Sequence, residues 1–146
     1  MQTIKKSHIV PFSNKQMYEL VDNINEYHSF IPWCILSKEL ERDQNTVTAT
    51  LGLSYQGMQK SFTTKNTLHP HSLIELTLVD GPFSHLEGFW RFDEIDEGCK
   101  IDFELNFAIK NKLMAMFIGP IFEKATSGML DIFCKQAETC YSTHDY

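Results

Sequence analysis

The stretch Ile101-Asp102-Phe103-Glu104-Leu105-Asn106-Phe107-Ala108-Ile109 decides how this chain folds. Ile101, Phe103, Leu105, Phe107 and Ile109 alternate with Asp102, Glu104 and Asn106. Successive side chains of a strand point to opposite faces, so this period predicts a strand with one buried face and one wet face. Strands of that kind belong to antiparallel sheets, because a parallel sheet is covered on both sides. Working back from this stretch, Leu86, Gly88, Trp90 and Phe92 repeat the pattern with Glu87 and Arg91 opposite. So do Ile74, Leu76 and Leu78, and before them Val47, Ala49, Leu51, Leu53 and Tyr55. Turn-forming residues separate the runs at Asp43-Gln44-Asn45, Gln56-Gly57, His69-Pro70-His71, Asp80-Gly81-Pro82 and Asp96-Glu97-Gly98. That spacing leaves no room for crossover helices. It predicts about six hairpin-linked strands between Leu36 and Ile109.

Beyond Ile109 the period becomes helical. Ile118, Phe122, Ala125, Met129, Phe133, Ala137 and Cys140 recur at steps of three and four. A helix from about Pro120 to Tyr141 would be roughly 33 Å long. Gly119-Pro120 should kink or break it from an apolar turn spanning Lys112 to Ile118. The tail from Ser142 to Tyr146 is expected to be loose. At the other end, Thr3 to Val10 reads as a first strand stopped by Pro11. Ser13 followed by Gln16 is a capping-box pattern, and Met17, Leu20, Val21 and Ile24 keep helical spacing, so a helix from about Asn14 to Asp22 is expected. A second short helix should cover Asn25 to Ile31, ending before Pro32. A one-sided sheet must cover its apolar face. The C-terminal helix is the element long enough to do so, and the two short helices can plug one end. The expected fold is α+β: one domain, residues 1–146, with a curved antiparallel sheet of about seven strands around a long C-terminal helix.

Composition narrows the function classes. The chain has 146 residues, 42% hydrophobic and 22% charged, as a globular domain does. Its net charge of −6 argues against a broad phosphate-binding surface, so DNA is not an expected partner. Lys5, Lys6 and His8 could form a small basic edge. Cys34, Cys99, Cys134 and Cys140 show no zinc spacing, and Cys134 and Cys140 are too far apart along a helix for a disulfide. Reduced, partly buried thiols are expected. His69 and His71 lie in a predicted turn, and no metal site is expected. There is no signal-peptide core or membrane-length apolar run. The expected location is the cytoplasm, at most peripheral to the inner membrane.

Two stretches carry a resemblance. One is Pro11-Phe12-Ser13, Met17-Tyr18-Glu19-Leu20-Val21, then Tyr27, Phe30, Pro32 and Cys34. The other is Leu78-Val79-Asp80-Gly81-Pro82-Phe83, then Leu86, Gly88, Trp90 and Phe92. Together with the order of elements, they resemble the coenzyme Q-binding START-like family of the START/polyketide-cyclase-like superfamily, whose bacterial branch includes ribosome-association toxins. The likeness runs from about Thr3 to Tyr141. It implies a helix-grip fold with a cavity between sheet and long helix, a ubiquinone-like lipid as ligand and no catalytic cofactor. For the bacterial branch it implies an effect on the association of ribosomal subunits, with a ribosomal subunit as the alternative partner.

Eleven Phe residues can make a solid core or line a pocket. Periodicity alone favours the core; the resemblance favours the pocket. On the second reading Phe30, Trp33, Tyr55, Trp90, Phe103, Leu105 and Phe107 line the cavity, and Met114, Phe117, Ile118 and Phe122 close the lid side. Phe30 and Trp33 would stand near the entrance. Asp80-Gly81-Pro82-Phe83 is a hairpin turn first, and a loop at the cavity mouth on the functional reading. Glu87, Arg91, Asp102 and Glu104 alternate outward, which leaves Tyr55 as the best inward polar tip. One Tyr is no catalytic constellation, so the expectation is a non-enzymatic binder.

Overall fold

The computed structural model describes residues 1–141, and the tail expected from Ser142 to Tyr146 lies outside them. Strands β1 (Gln2–Val10), β2 (Cys34–Arg42), β3 (Thr46–Tyr55), β4 (Met58–His69), β5 (Leu73–Asp80), β6 (Phe83–Ile95) and β7 (Gly98–Ile109) form one antiparallel sheet. Its order is β1-β7-β6-β5-β4-β3-β2. Strands β2 to β7 are consecutive hairpins, as the turn residues require. Strand β1 instead reaches across the chain to pair with β7, from Gln2 opposite Phe107 to Val10 opposite Cys99.

Helix α1 (Asn14–Asp22) starts where the capping box puts it. The Gln16 amide donates to Ser13 Oγ (3.0 Å) and the Ser13 amide to Gln16 Oε1 (2.9 Å). The second short helix is a 3₁₀ helix, Ile24–Ser29, rather than an α-helix over Asn25 to Ile31. A segment this short between α1 and Pro32 settles into the tighter form. It covers the open edge of β2: the Glu39 amide donates to Asn25 Oδ1 (2.9 Å) and the His28 amide to Ser37 Oγ (3.1 Å). Two irregularities in the β2 register further blunt that edge.

The C-terminal arm departs from expectation. Gly119-Pro120 does not break it; both residues lie inside α2 (Lys112–Ser127). The Pro120 ring is exposed, and Gly119 is buried, with space for a Cβ that would meet Ile109 Cδ1 at 3.9 Å. The break falls at Gly128, before α3 (Met129–Tyr141). Just before it, side-chain hydroxyls bond back onto the helix: Thr126 Oγ1 donates to Phe122 O (2.8 Å) and Ser127 Oγ to Lys124 O (3.2 Å). The Gly128 amide turns back onto Thr126 O, and the Ile132 amide restarts the ladder on Gly128 O (3.2 Å).

Both arms of this bent helix lie on the apolar face of the sheet, where Ile101, Phe103, Leu105 and Phe107 meet Phe122, Phe133 and Ala137 in one buried cluster. Gly98, at φ +143°, lets the β6–β7 hairpin press against the end of β1; a Cβ there would lie 2.2 Å from Val10 O.

Cys34, Cys99 and Cys134 are buried free thiols, and Cys140 is half-buried. Burial pushes all three buried thiols up, Cys99 and Cys134 to about 11. The thiolate is the reactive form. Iodoacetamide at mildly alkaline pH should therefore modify Cys140 first. The other three should react only after denaturant is added, as peptide mass spectrometry would show.

Candidate ligand cavity

The sheet and the bent helix do not close completely. A cavity of about 60 Å³ remains beneath the α2–α3 break. Its roof is Phe122, Thr126 and Met129, which flank Gly128. Ala49 and Leu51 from β3, Phe62, Thr64 and Asn66 from β4, and Leu76 from β5 form one wall. Leu86 and Trp90 from β6 and Phe103 and Leu105 from β7 form the other, and Ile24, Tyr27 and Trp33 close the end. Leu51, Phe62, Thr64 and Leu76 are only half-buried, which marks the β3–β5 side as the thinnest wall. Lys124 reaches from α2 toward that side, its Nζ 6.0 Å from the centre of the Tyr55 ring.

The cavity is apolar with a few polar groups at fixed points. Trp33 is held by its backbone, whose carbonyl accepts from the Ser54 amide (2.9 Å). Its side chain is 6% exposed, yet Nε1 has no hydrogen-bond partner among the described residues. A buried N–H without a partner costs about 1–3 kcal/mol. Asn66 is also buried, with Oδ1 accepting from Thr64 Oγ1 (2.9 Å). Tyr27 donates its hydroxyl to Val21 O. Burial, and then the nearby Asp22 carboxylate, hold that phenol far above its ordinary range, so it stays protonated.

Of the lining residues expected from sequence, Trp33, Trp90, Phe103, Leu105 and Phe122 face this cavity. Phe30 packs instead on Tyr27 and Phe133, with ring centres at 6.2 and 5.3 Å. Phe107 lies behind the roof, 4.8 Å from Phe122. Tyr55 and Met114 are half-buried off the cavity, and Ile118 is buried elsewhere in the core. Phe117 is 67% exposed and closes nothing. Asp80 ends β5, and Gly81 and Pro82 form the turn after it, away from the lining, with Gly81 at φ +147°. Phe83 stacks one layer back, 4.9 Å from Phe122 and 5.7 Å from Phe62. The inward polar groups are Thr64 and Asn66 rather than Tyr55. Their signal was present, since Phe62, Thr64, Asn66 and Leu68 keep a period of two between apolar ends.

No group of three or more His, Cys, Asp or Glu residues able to hold a metal occurs among the described residues. Among the described residues no helix is long and apolar enough to cross a membrane.

Comparison with known proteins agrees with this architecture. Residues 10–134 match the family described as polyketide cyclase / dehydrase and lipid transport. The chain is 38% identical to the ribosome association toxin RatA of Escherichia coli (strain K12), over 97% of this chain and 90% of that protein. It is 28% identical to the mitochondrial coenzyme Q-binding protein COQ10 homolog B of Xenopus laevis, over 96% of this chain and 59% of the relative. The ZhuI aromatase/cyclase from Streptomyces sp. R1128 superposes with a TM-score of 0.83 at 16% identity, covering 94% of this chain and 93% of that one. With its seven-stranded sheet gripping a long C-terminal helical arm, the chain belongs to the polyketide cyclase / dehydrase and lipid transport family and has the helix-grip fold of START-like proteins.

Proposed function

We propose that the cavity binds an isoprenoid quinone, or a lipid of the same chemistry, without reacting with it. The observation that supports this reading is the unpartnered, buried N–H of Trp33, a residue that lines a largely apolar cavity. A quinone offers carbonyl oxygens that only accept, joined to a long hydrocarbon tail. Trp33 Nε1 would donate to one carbonyl, with the Asn66 amide close by on β4. The tail would lie along Leu51, Phe62 and Leu76 toward the thin wall, each buried methylene contributing about 0.8 kcal/mol. The cavity must widen to admit a ring, because a site for benzene occupies about 150 Å³. The helix break at Gly128 and the half-buried β3–β5 wall are where it can give. Among the lining residues Tyr27 is the one titratable group, and its hydroxyl is engaged with Val21 O, which favours binding over catalysis. The name of the Xenopus relative supports the ligand class.

The test is mass spectrometry of an organic extract of protein purified from a quinone-making host. A stoichiometric isoprenoid quinone is expected, and Leu105→Trp, which fills the cavity from β7, should leave the extract empty. A clean wild-type extract with no uptake of added quinone would sink the proposal.

The 38% identity to RatA favours a second reading, in which this chain binds a ribosomal subunit and interferes with subunit association. That contact would use the exposed face and the β1 edge. Lys5, Lys6 and His8 are all exposed there, with Lys5 paired to Glu104 (3.6 Å). Phosphate-driven binding of this kind weakens steeply with salt, whereas quinone binding does not.

A further inference from the structure

We propose that the first half of α2 docks this protein onto an anionic lipid surface. Leu113, Met116 and Phe117 are 64%, 73% and 67% exposed. At spacings of three and four they share one face of the helix with exposed Pro120. The turn that presents them is ordered: Asn111 Oδ1 accepts from the amides of Leu113 (2.8 Å) and Met114 (3.3 Å). The opposite side is anchored by buried Ile118 and Phe122. Exposed Val79 stands at the end of β5, and the β5–β6 turn is tied to the start of α2 because the Lys110 amide donates to Pro82 O (3.0 Å).

The charges around this face choose the partner. From Leu105 to Phe122 the chain has no Asp or Glu, although its net charge is −6. Lys110 and Lys112 are exposed at the start of the helix, and neither forms an ion pair among the described residues. Lys124 ends the apolar stripe. The acidic neighbours are Asp80, at the end of β5, and Glu123 at the border of the stripe. Apolar side chains flanked by lysines match a bilayer of anionic lipid: Leu, Met and Phe enter below the headgroups while the ammonium groups meet phosphate. The same helix carries Phe122 and Thr126 in the cavity roof, so docking would bring that roof toward the lipid. The docking itself does not depend on what the cavity holds.

Flotation of the full chain with vesicles tests this, using phosphatidylcholine alone and phosphatidylcholine mixed with phosphatidylglycerol. The protein should float with the mixed vesicles, and less as salt rises. Leu113→Ser combined with Phe117→Ser should cut bound protein about tenfold or more while the melting temperature holds, since both side chains are already in water. Lys110→Glu with Lys112→Glu should remove the preference for anionic vesicles. Absence of flotation, or flotation untouched by the serine pair, overturns the proposal; equal flotation on both vesicle types overturns its anionic half. If the protein ignores vesicles but sediments with ribosomal subunits through these same residues, the face is a ribosome contact and the membrane assignment is overturned.

Discussion

Phe133→Ala is expected to remove about 3–5 kcal/mol of folding stability, the cost typical of emptying a well-packed aromatic site. Phe133 is fully buried and touches three rings that come from elsewhere in the chain. Tyr27, Phe30 and Trp90 lie with ring centres at 5.2, 5.3 and 5.2 Å, all near edge-to-face at 73°, 83° and 74°. Each such pair adds about 0.5–1.5 kcal/mol beyond area burial. One side chain on α3 therefore ties together the 3₁₀ helix, the loop before β2 and strand β6. A domain of this size has about 5–15 kcal/mol in all, so the variant should be marginal. Urea unfolding at an unchanged m-value would read the loss as a lower midpoint. A loss below about 1.5 kcal/mol would mean that the neighbouring rings collapse into the space and that the site is not rigidly packed.

Trp33→Phe should separate binding from stability. It deletes the unpartnered N–H while keeping an aromatic wall. The smaller ring loses packing but the buried donor no longer goes unpaired, so the empty protein should change by less than about 2 kcal/mol. With ligand present, a quinone carbonyl would be buried without its donor, a penalty of about 1–3 kcal/mol. That corresponds to an affinity loss of about 5- to 150-fold. Calorimetric titration with a short-chain quinone would measure it. A matching isoprenoid hydrocarbon without the ring should bind wild type and variant alike. Equal quinone affinity in the two proteins would remove Trp33 from the proposed head-group contact.

Much of the architecture was readable in advance. Ile101 to Ile109 alternates because one face of β7 is buried and the other wet, and the hairpin turns follow from residues that favour them. Ser13 and Gln16 placed the start of α1 because capping is a local reaction between neighbours. The C-terminal arm was harder for a physical reason. Gly119-Pro120 is the strongest breaker signal in that region, but an exposed proline ring can be carried within a helix where its lost hydrogen bond faces water. The actual break falls at Gly128, a residue that helix interiors disfavour but that gives a weaker breaker signal than Gly119-Pro120. Phe117 was misplaced because Leu113 through Ile118 is apolar throughout. A run without periodicity does not say which face turns inward. The cavity was half visible: β6 and β7 supplied Trp90, Phe103 and Leu105 through clean alternation. Thr64 and Asn66 share the period of two with Phe62 and Leu68, but that pattern alone does not say which face of β4 turns inward, because polar residues at inward positions look like outward ones. Ile24 and Tyr27 depend on how a 3₁₀ helix docks, which no strand or α-helix period predicts.

The pairing of β1 with β7 has a consequence for how the chain is made. Every other strand pair joins neighbours in sequence, so the meander from β2 to β7 can assemble hairpin by hairpin as residues emerge during synthesis. Gln2 must wait for Phe107. Closing so long a loop is slow on entropic grounds, and it follows the local pairings. Until then the growing sheet carries an unmatched edge, with the apolar residues of β7 newly exposed beside it. The docking of β1 is thus the natural candidate for the slow step in refolding. A chain that loses its first strand should be caught at that stage, with β7 free to pair with another copy.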